Sequence, residues 1–168
     1  MLKENVQKEL TRFGKYVVQQ SRSNLSKKDK NVSSKLYNSI GYDAKANPNS
    51  FEFSFSMEEY GKFQDKGVSG KDKKYDTPYA YTNKRPPSQP LAEWAKKRNI
   101  RLRDDKGRFS KGNYKTIGII LANSIYKKGI KPSLFFTRPF NLAFEKLPED
   151  LVQAYSLDLD NFLKFTLK

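Results

Sequence analysis

The chain has 168 residues, no cysteine and no histidine, and sets 33 Lys and Arg against 18 Asp and Glu for a formal charge of +15. Those counts remove disulfide frameworks, thiol nucleophiles, thiolate zinc sites and the commonest general base. They leave one domain, residues 1–168, long enough to bury a core without cross-links. No run approaches the roughly 18 apolar residues of a membrane span. The start, MLKENVQKELTRF, interrupts its apolar positions with charge, so neither a signal peptide nor an anchor is expected.

The charge is unevenly placed. Residues 62–115 hold 16 basic and 6 acidic side chains, a net of +10, while 36–61 come to −3 and 145–168 to −2. Such a concentration attracts polyanions through counterion release, although a Lys-rich surface also serves solubility alone; composition leaves both readings open.

Along the chain, Leu2, Val6, Leu10, Phe13 and Val17 recur every three or four residues among charged neighbours, which predicts an amphipathic helix packed on a sheet. Residues 21–31, SRSNLSKKDKN, read as an exposed connector. Val32, Leu36 and Ile40 predict a short helix leading into a strand at about Ser39. Phe51, Phe53, Phe55 and Met57 then alternate with Glu52, Ser54 and Ser56, placing three rings and a thioether on one sheet face. Asn47-Pro48-Asn49-Ser50 has the chemistry of a turn, so 39–46 and 51–57 form a hairpin.

Tyr60 and Phe63 share a short helical turn, and Gly67 and Gly70 bracket a tight turn. The stretch KDKKYDTPYAYTNKRPPSQP, from Lys71, reads as a long surface loop. Ser88 or Gln89 is expected to cap a helix with Pro90 in its first turn and Leu91, Trp94 and Ala95 on one side, ending near Arg98, with Trp94 as a packing anchor. Asp105-Lys106-Gly107 centres a hairpin bearing Arg101, Arg103 and Arg108. A helix from Tyr114 presents Ile117, Ile120, Leu121, Ser124 and Ile125 and stops at Gly129. Thr137 is expected to cap the next helix, with Phe140, Ala143, Phe144 and Leu147 on its face. Pro148 restarts it, and Leu151, Val152, Tyr155, Leu159, Phe162 and Leu163 continue a stripe towards the end. The fold class is therefore α+β: a small antiparallel sheet, the hairpin plus one or two further strands, packed against N- and C-terminal helices, with residues 71–112 inserted as a basic loop, helix and hairpin.

Three segments resemble a known family in their order along the chain. YGKFQDKGVSG (60–70), SSKLYNSI (33–40) and ANSIYKKGIKPSLFFTRPFNLAFEKL (122–147) are similar to elements of the head-to-tail joining and tail-completion proteins of tailed bacteriophages. In the last segment Gly129, Pro132, Phe135, Phe136, Arg138, Pro139 and Phe140 follow the family order, and residues 71–112 form an insertion in the pattern. The resemblance implies a virion structural protein of the neck or tail end, a tail terminator or completion protein, present in the host cytoplasm during assembly. It would form a homo-oligomeric ring of six or twelve subunits, stacked on portal, connector or tail-tube proteins and surrounding the DNA channel. On that reading Tyr60, Phe63, Gly67, Gly70, Phe135, Phe136, Arg138, Pro139 and Phe140 serve subunit contacts. Lys71, Lys73, Lys74, Arg101, Arg103, Arg108 and Lys111 meet DNA phosphates or an acidic neighbouring ring, without reading sequence.

Two other classes compete. Asp72-Lys73-Lys74 and Asp104-Asp105-Lys106 have the acid-x-Lys spacing of a carboxylate-metal nuclease, but neither follows a core strand. No catalytic residue, metal or cofactor is expected. A free nucleic-acid-binding protein that ignores sequence is the alternative, supported by the charge and by Tyr75, Tyr79 and Tyr81 as stacking rings.

Overall fold

The computed structural model describes residues 3–27, 34–110 and 112–166. In chain order the elements are α1 (Glu4–Lys27), α2 (Lys35–Ser39), β1 (Gly41–Ala46), β2 (Phe51–Ser56), α3 (Gly61–Lys66), α4 (Ser88–Lys97), α5 (Tyr114–Lys128), α6 (Thr137–Phe144) and α7 (Leu147–Thr166). This is an α+β fold with helices towards both ends of the chain. The chain divides into two compact units: Met1–Gly61 with Leu134–Lys168, and Lys62–Ser133.

The first unit is built on α1. Its stripe of Val6, Leu10, Phe13 and Val17 is buried as the spacing predicts. The helix does not stop where the polar stretch begins, however; it runs on to Lys27. Ser21 and Leu25 fall on the same face and are buried, and no Gly or Pro interrupts 21–27. Arg22 donates to the carbonyls of Tyr37 and Ile40, at 3.1 and 2.9 Å, and so uses its polar head to secure the α2–β1 junction. The remainder of the expected connector, 28–31, and Val32 lie outside the described residues.

β1 and β2 pair antiparallel, from Gly41 opposite Ser56 to Ala46 opposite Phe51. The Asn47–Ser50 turn is closed by the Asn47 N–H on the Ser50 carbonyl at 2.8 Å. Among the described residues the sheet ends at these two strands. Where one or two more strands were expected there are only single bridges: Val68 with Ile130, Ser69 with Ala80 and Arg103 with Phe109. The outer edge of β1 is occupied by a side chain instead: Gln7 donates to the Ala44 carbonyl at 2.9 Å and accepts from the Ala46 N–H at 2.8 Å.

The rings of the hairpin meet the rings of α1 and α6. Phe13 lies 5.2 Å from Phe53 and 5.9 Å from Phe140, Phe53 lies 4.9 Å from Phe55, and Phe55 lies 5.1 Å from Phe136, mostly edge to face. Gly14 admits Tyr42 against the helix backbone, because a Cβ there would overlap the tyrosine ring. At the other end of α1, α7 supplies a cap. The buried Asp158 carboxylate accepts from the Asn5 and Val6 N–H groups and the Asn5 amide, at 2.8 to 3.1 Å. It satisfies amides that have no partner inside a helix start.

The second unit holds α4 against α5. The buried face of α5 is Ile117, Gly118 and Ala122, not the expected Ile117–Ile120–Leu121 face, and Ile120 is exposed. Gly118 sets that choice, because a Cβ there would overlap the Ser88 carbonyl and crowd Ala92, so α4 lies against the bare backbone. On α4, Ala95 is buried while Trp94, expected as the anchor, is 39% exposed with the Arg98 guanidinium over its ring. The α4 cap position falls on Pro87, not Ser88 or Gln89, and Thr137 does not cap α6: it is the first helical residue, and the cap position falls on Phe136 without a side-chain cap bond.

Replacing Asp158 by Ala strands the buried Val6 amide and the half-buried Asn5 amide. It is expected to lower unfolding free energy by about 1.5–3 kcal/mol, read as a lower urea midpoint at unchanged slope.

Candidate functional site

The two units differ in surface chemistry. Lys62–Ser133 contains 19 Lys and Arg and 6 Asp and Glu, a net of +13, which leaves +2 for the other unit. Nearly all of the chain's excess charge is therefore carried by the α4–α5 unit and its loops.

Within that unit the loop after Gly70 is tied down at the end of α5. The N–H groups of Lys71 and Asp72 donate to the Tyr126 and Lys127 carbonyls at 2.9 Å. Ser69 bonds the backbone of Tyr75 and Tyr79, Thr77 Oγ1 donates to the Gly67 carbonyl at 3.0 Å, and Tyr126 donates its hydroxyl to the Thr82 carbonyl at 2.8 Å. The tyrosines expected as stacking rings are used in this packing: Tyr79 meets Phe63 edge-on at 4.8 Å and Tyr81 lies 6.3 Å from Tyr126. Burial pushes the Tyr81 phenol pKa up from its ordinary value.

Of the expected phosphate contacts, Lys71, Lys73 and Lys74 are exposed on this loop. Lys74 donates to the Gly70 carbonyl at 3.0 Å, and Lys73 Nζ stands 5.5 Å from the centre of the Tyr75 ring. Arg101, Arg103 and Arg108 lie on the hairpin. Its turn is built by Asp104, which accepts from the Lys106 and Arg108 N–H groups at 3.0 and 2.9 Å and pairs with Arg108 Nε at 3.1 Å; Gly107 supplies φ +77°. The guanidinium carbons of Arg101 and Arg103 stand 5.5 and 4.5 Å from the centre of the Phe109 ring, which is 63% exposed. Lys111 lies outside the described residues. The fold thus separates these cations in sequence terms into a loop group at the end of α5 and a hairpin group around an exposed ring. Phe109 was not singled out in the sequence; an aromatic between arginines on a tight hairpin is the signal that marks it.

Of the residues expected at subunit contacts, several have places inside their own unit. Gly67 takes φ +75° against Ile130 and Pro132, and Gly70 touches the Lys127 carbonyl. Phe135 is fully buried among Val18, Leu25, Leu36 and Ile40; Phe136 and Phe140 join the aromatic cluster; Pro139 is buried. Phe63 is half-buried, and Tyr60 and Arg138 are exposed. Exposed apolar surface is found elsewhere, on α6 at Leu142 and Phe144, on β2 at Phe51, and along α7 at Val152, Tyr155, Leu157, Leu159, Phe162, Leu163 and Phe165.

Among the described residues no group of three acidic side chains is arranged to hold a metal ion, and no helix is long and apolar enough to cross a membrane. Comparison with protein-family models, with curated proteins and with solved structures returns no match.

Because Asp104 closes three hydrogen bonds of the hairpin turn, Asp104→Ala is expected to loosen residues 103–108. Limited trypsin digestion is the measurement: cleavage after Arg103, Lys106 or Arg108 accelerates, while α1–β2 stays intact.

Proposed function

We propose that this chain is a structural protein of a tailed-phage virion, a ring-forming component of the neck or tail end that joins the DNA-filled head to the tail and surrounds the DNA channel. The observation that carries the reading is the coexistence of concentrated charge and exposed apolar surface. One unit holds +13 of the charge, and exposed apolar side chains stand on β2, α6 and α7 of the other as well as at Phe109, Ile119 and Ile120 of the basic one. A ring subunit of this kind needs both: apolar area to hold it in an assembly and cations that tolerate any DNA sequence. The order of the YGKFQDKGVSG and FFTRPF segments along the chain supports the same reading.

On this reading Arg101, Arg103, Arg108 and the Lys71–Lys74 group meet phosphate or an acidic neighbouring ring. The Asp104 turn holds the hairpin arginines in place, which lowers the ordering cost of contact. One observation favours the alternative, a free nucleic-acid-binding protein. Phe109 is an exposed ring among guanidiniums, a combination that stacks unpaired bases.

Deleting the coding sequence from the phage that carries it is expected to leave filled heads and separate tails in electron micrographs of the lysate; joined, infectious particles would refute the neck role. For the cations, replacing Arg101, Arg103 and Arg108 by Ala is expected to reduce the slope of log K against log salt for a random duplex by about 2–3. A preference for single strands that vanishes with Phe109→Ala would favour the alternative.

A further inference from the structure

β2 ends the sheet with its outer edge unoccupied. The bond between Asn47 and Ser50 sets the alternation of the hairpin, in which Phe51, Phe53 and Phe55 stand at the positions that do not bond to β1. Their N–H and carbonyl groups turn outward, and among the described residues nothing bonds to them. Sheet edges are ordinarily blunted by lysine, proline or a bulge. β2 reads Phe-Glu-Phe-Ser-Phe-Ser and pairs with β1 residue for residue, so it has none of the three.

The interior is open along the same edge. A groove of about 470 Å³ is walled by Phe53, Ser54 and Phe55 on one side and by Phe140, Phe144 and Leu147 on the other. Ser54 and its two neighbours point to opposite faces of the sheet, so a groove that touches all three runs along the main chain. A second groove of about 530 Å³ continues past the hairpin turn, and Phe51 and Leu151 line both. Neither is lined by a charged side chain, although 30% of the chain is charged.

We infer that the β2 edge is a strand-addition site for an extended segment of another protein, laid antiparallel, with apolar side chains at every second position and uncharged polar ones between. The free main-chain groups select the conformation: a helix uses its own N–H and carbonyl groups internally, and a lipid chain has none to offer. The lining rejects a phosphate backbone, since it supplies no cation. Side chains opposite Phe53 and Phe55 turn into the groove, and those opposite Glu52 and Ser54 turn to solvent. A second copy of β2 does not serve. Its Phe53 and Phe55 rings are already packed in its own interior, so it would bring hydrogen bonds and leave the groove unfilled. The inference does not rest on the neck reading and holds equally for a free nucleic-acid-binding protein.

The test titrates the full-length protein with a fluorescent peptide, Lys-Val-Thr-Val-Thr-Val-Lys, blocked at both ends. Its lysines are repelled by a +15 chain, so charge does not produce the binding. The control is the same peptide N-methylated at its valines, which keeps the apolar surface and removes the donors that meet β2. The expected result is saturable binding, weakened about tenfold or more by N-methylation, with the Phe53 and Phe55 amides exchanging more slowly at saturation. Phe51→Pro removes one outward N–H and leaves the bonds to β1 in place. It is expected to weaken binding by a similar factor while the thermal transition is retained. Equal binding of the methylated peptide, or no binding at millimolar peptide, overturns the proposal. So does a dimer of the peptide-free protein in which the Phe53 and Phe55 amides are already protected, the outcome for a second copy. Since the readout is peptide binding to purified protein, it can fail while the phage deletion still blocks head–tail joining, and the reverse.

Discussion

The need of a two-stranded sheet for a helical partner governs the first unit. Six-residue strands set Phe51, Phe53 and Phe55 on one face, and a hairpin of that size does not stand alone in water. α1 meets the need along its length: Phe13 enters the ring cluster, Gly14 yields room to Tyr42, and Gln7 takes the strand edge. α6 and α7 then close over what remains through Phe136, Phe140, Leu147 and Leu151. Because α1 is anchored at its first turn by Asp158 of α7, two segments more than a hundred residues apart are fixed to one another there. The apolar side chains that this arrangement does not reach are the ones left at the surface.

The second unit is organised differently. Among its described residues there is no extended sheet and only a small apolar interior, and it is held by backbone hydrogen bonds, turn chemistry and the close approach of α4 to Gly118. Carrying +13 there is tolerable because the cations are spread over three helices, the loops and a hairpin, where screening limits the mutual repulsion of exposed charges. Several of these charges are held by hydrogen bonds, Arg103 and Lys74 to backbone, Arg108 to Asp104 and Arg85 to Asn123.

How much of this was legible depended on whether a local pattern had one physical explanation. The hairpin was readable because alternation of Phe with Ser and Glu has no helical counterpart and Asn-Pro-Asn-Ser has turn chemistry. The stop at Gly129 was readable because its φ of +73° excludes most other residues. The end of α1 was misjudged because Ser21 and Leu25 bury a face that polar composition conceals. The α5 face was misjudged because its contact is made by Gly118 and Ala122, and small residues carry no weight in a search for apolar stripes. Trp94 has the size of an anchor, but the residue that α4 buries is its neighbour Ala95, and Trp94 is left 39% exposed. The stripe on α7 was seen as one feature and is two. Leu151 and Val152 are adjacent in sequence and point to different neighbours, one to α1 and one to solvent. Nothing in the spacing says where α1 will lie.

Gln7 gives the hairpin a direction. Its amide presents one donor and one acceptor to Ala44 and Ala46, as a neighbouring strand would, so β1 is closed to further pairing at that point. The alternation of an antiparallel ladder then fixes the phase of the other edge. Ala44 and Ala46 stand opposite Phe53 and Phe51, so the backbone groups of those phenylalanines, and of Phe55, point away from β1. The sheet can therefore grow on one side only, and in a single phase. Two of these phenylalanines, Phe53 and Phe55, place their rings in the subunit's interior while their main chain would receive an added strand. Evolution of this protein could change what sits beside that edge, but it could not shift the pairing pattern by one residue without exchanging its core for its surface.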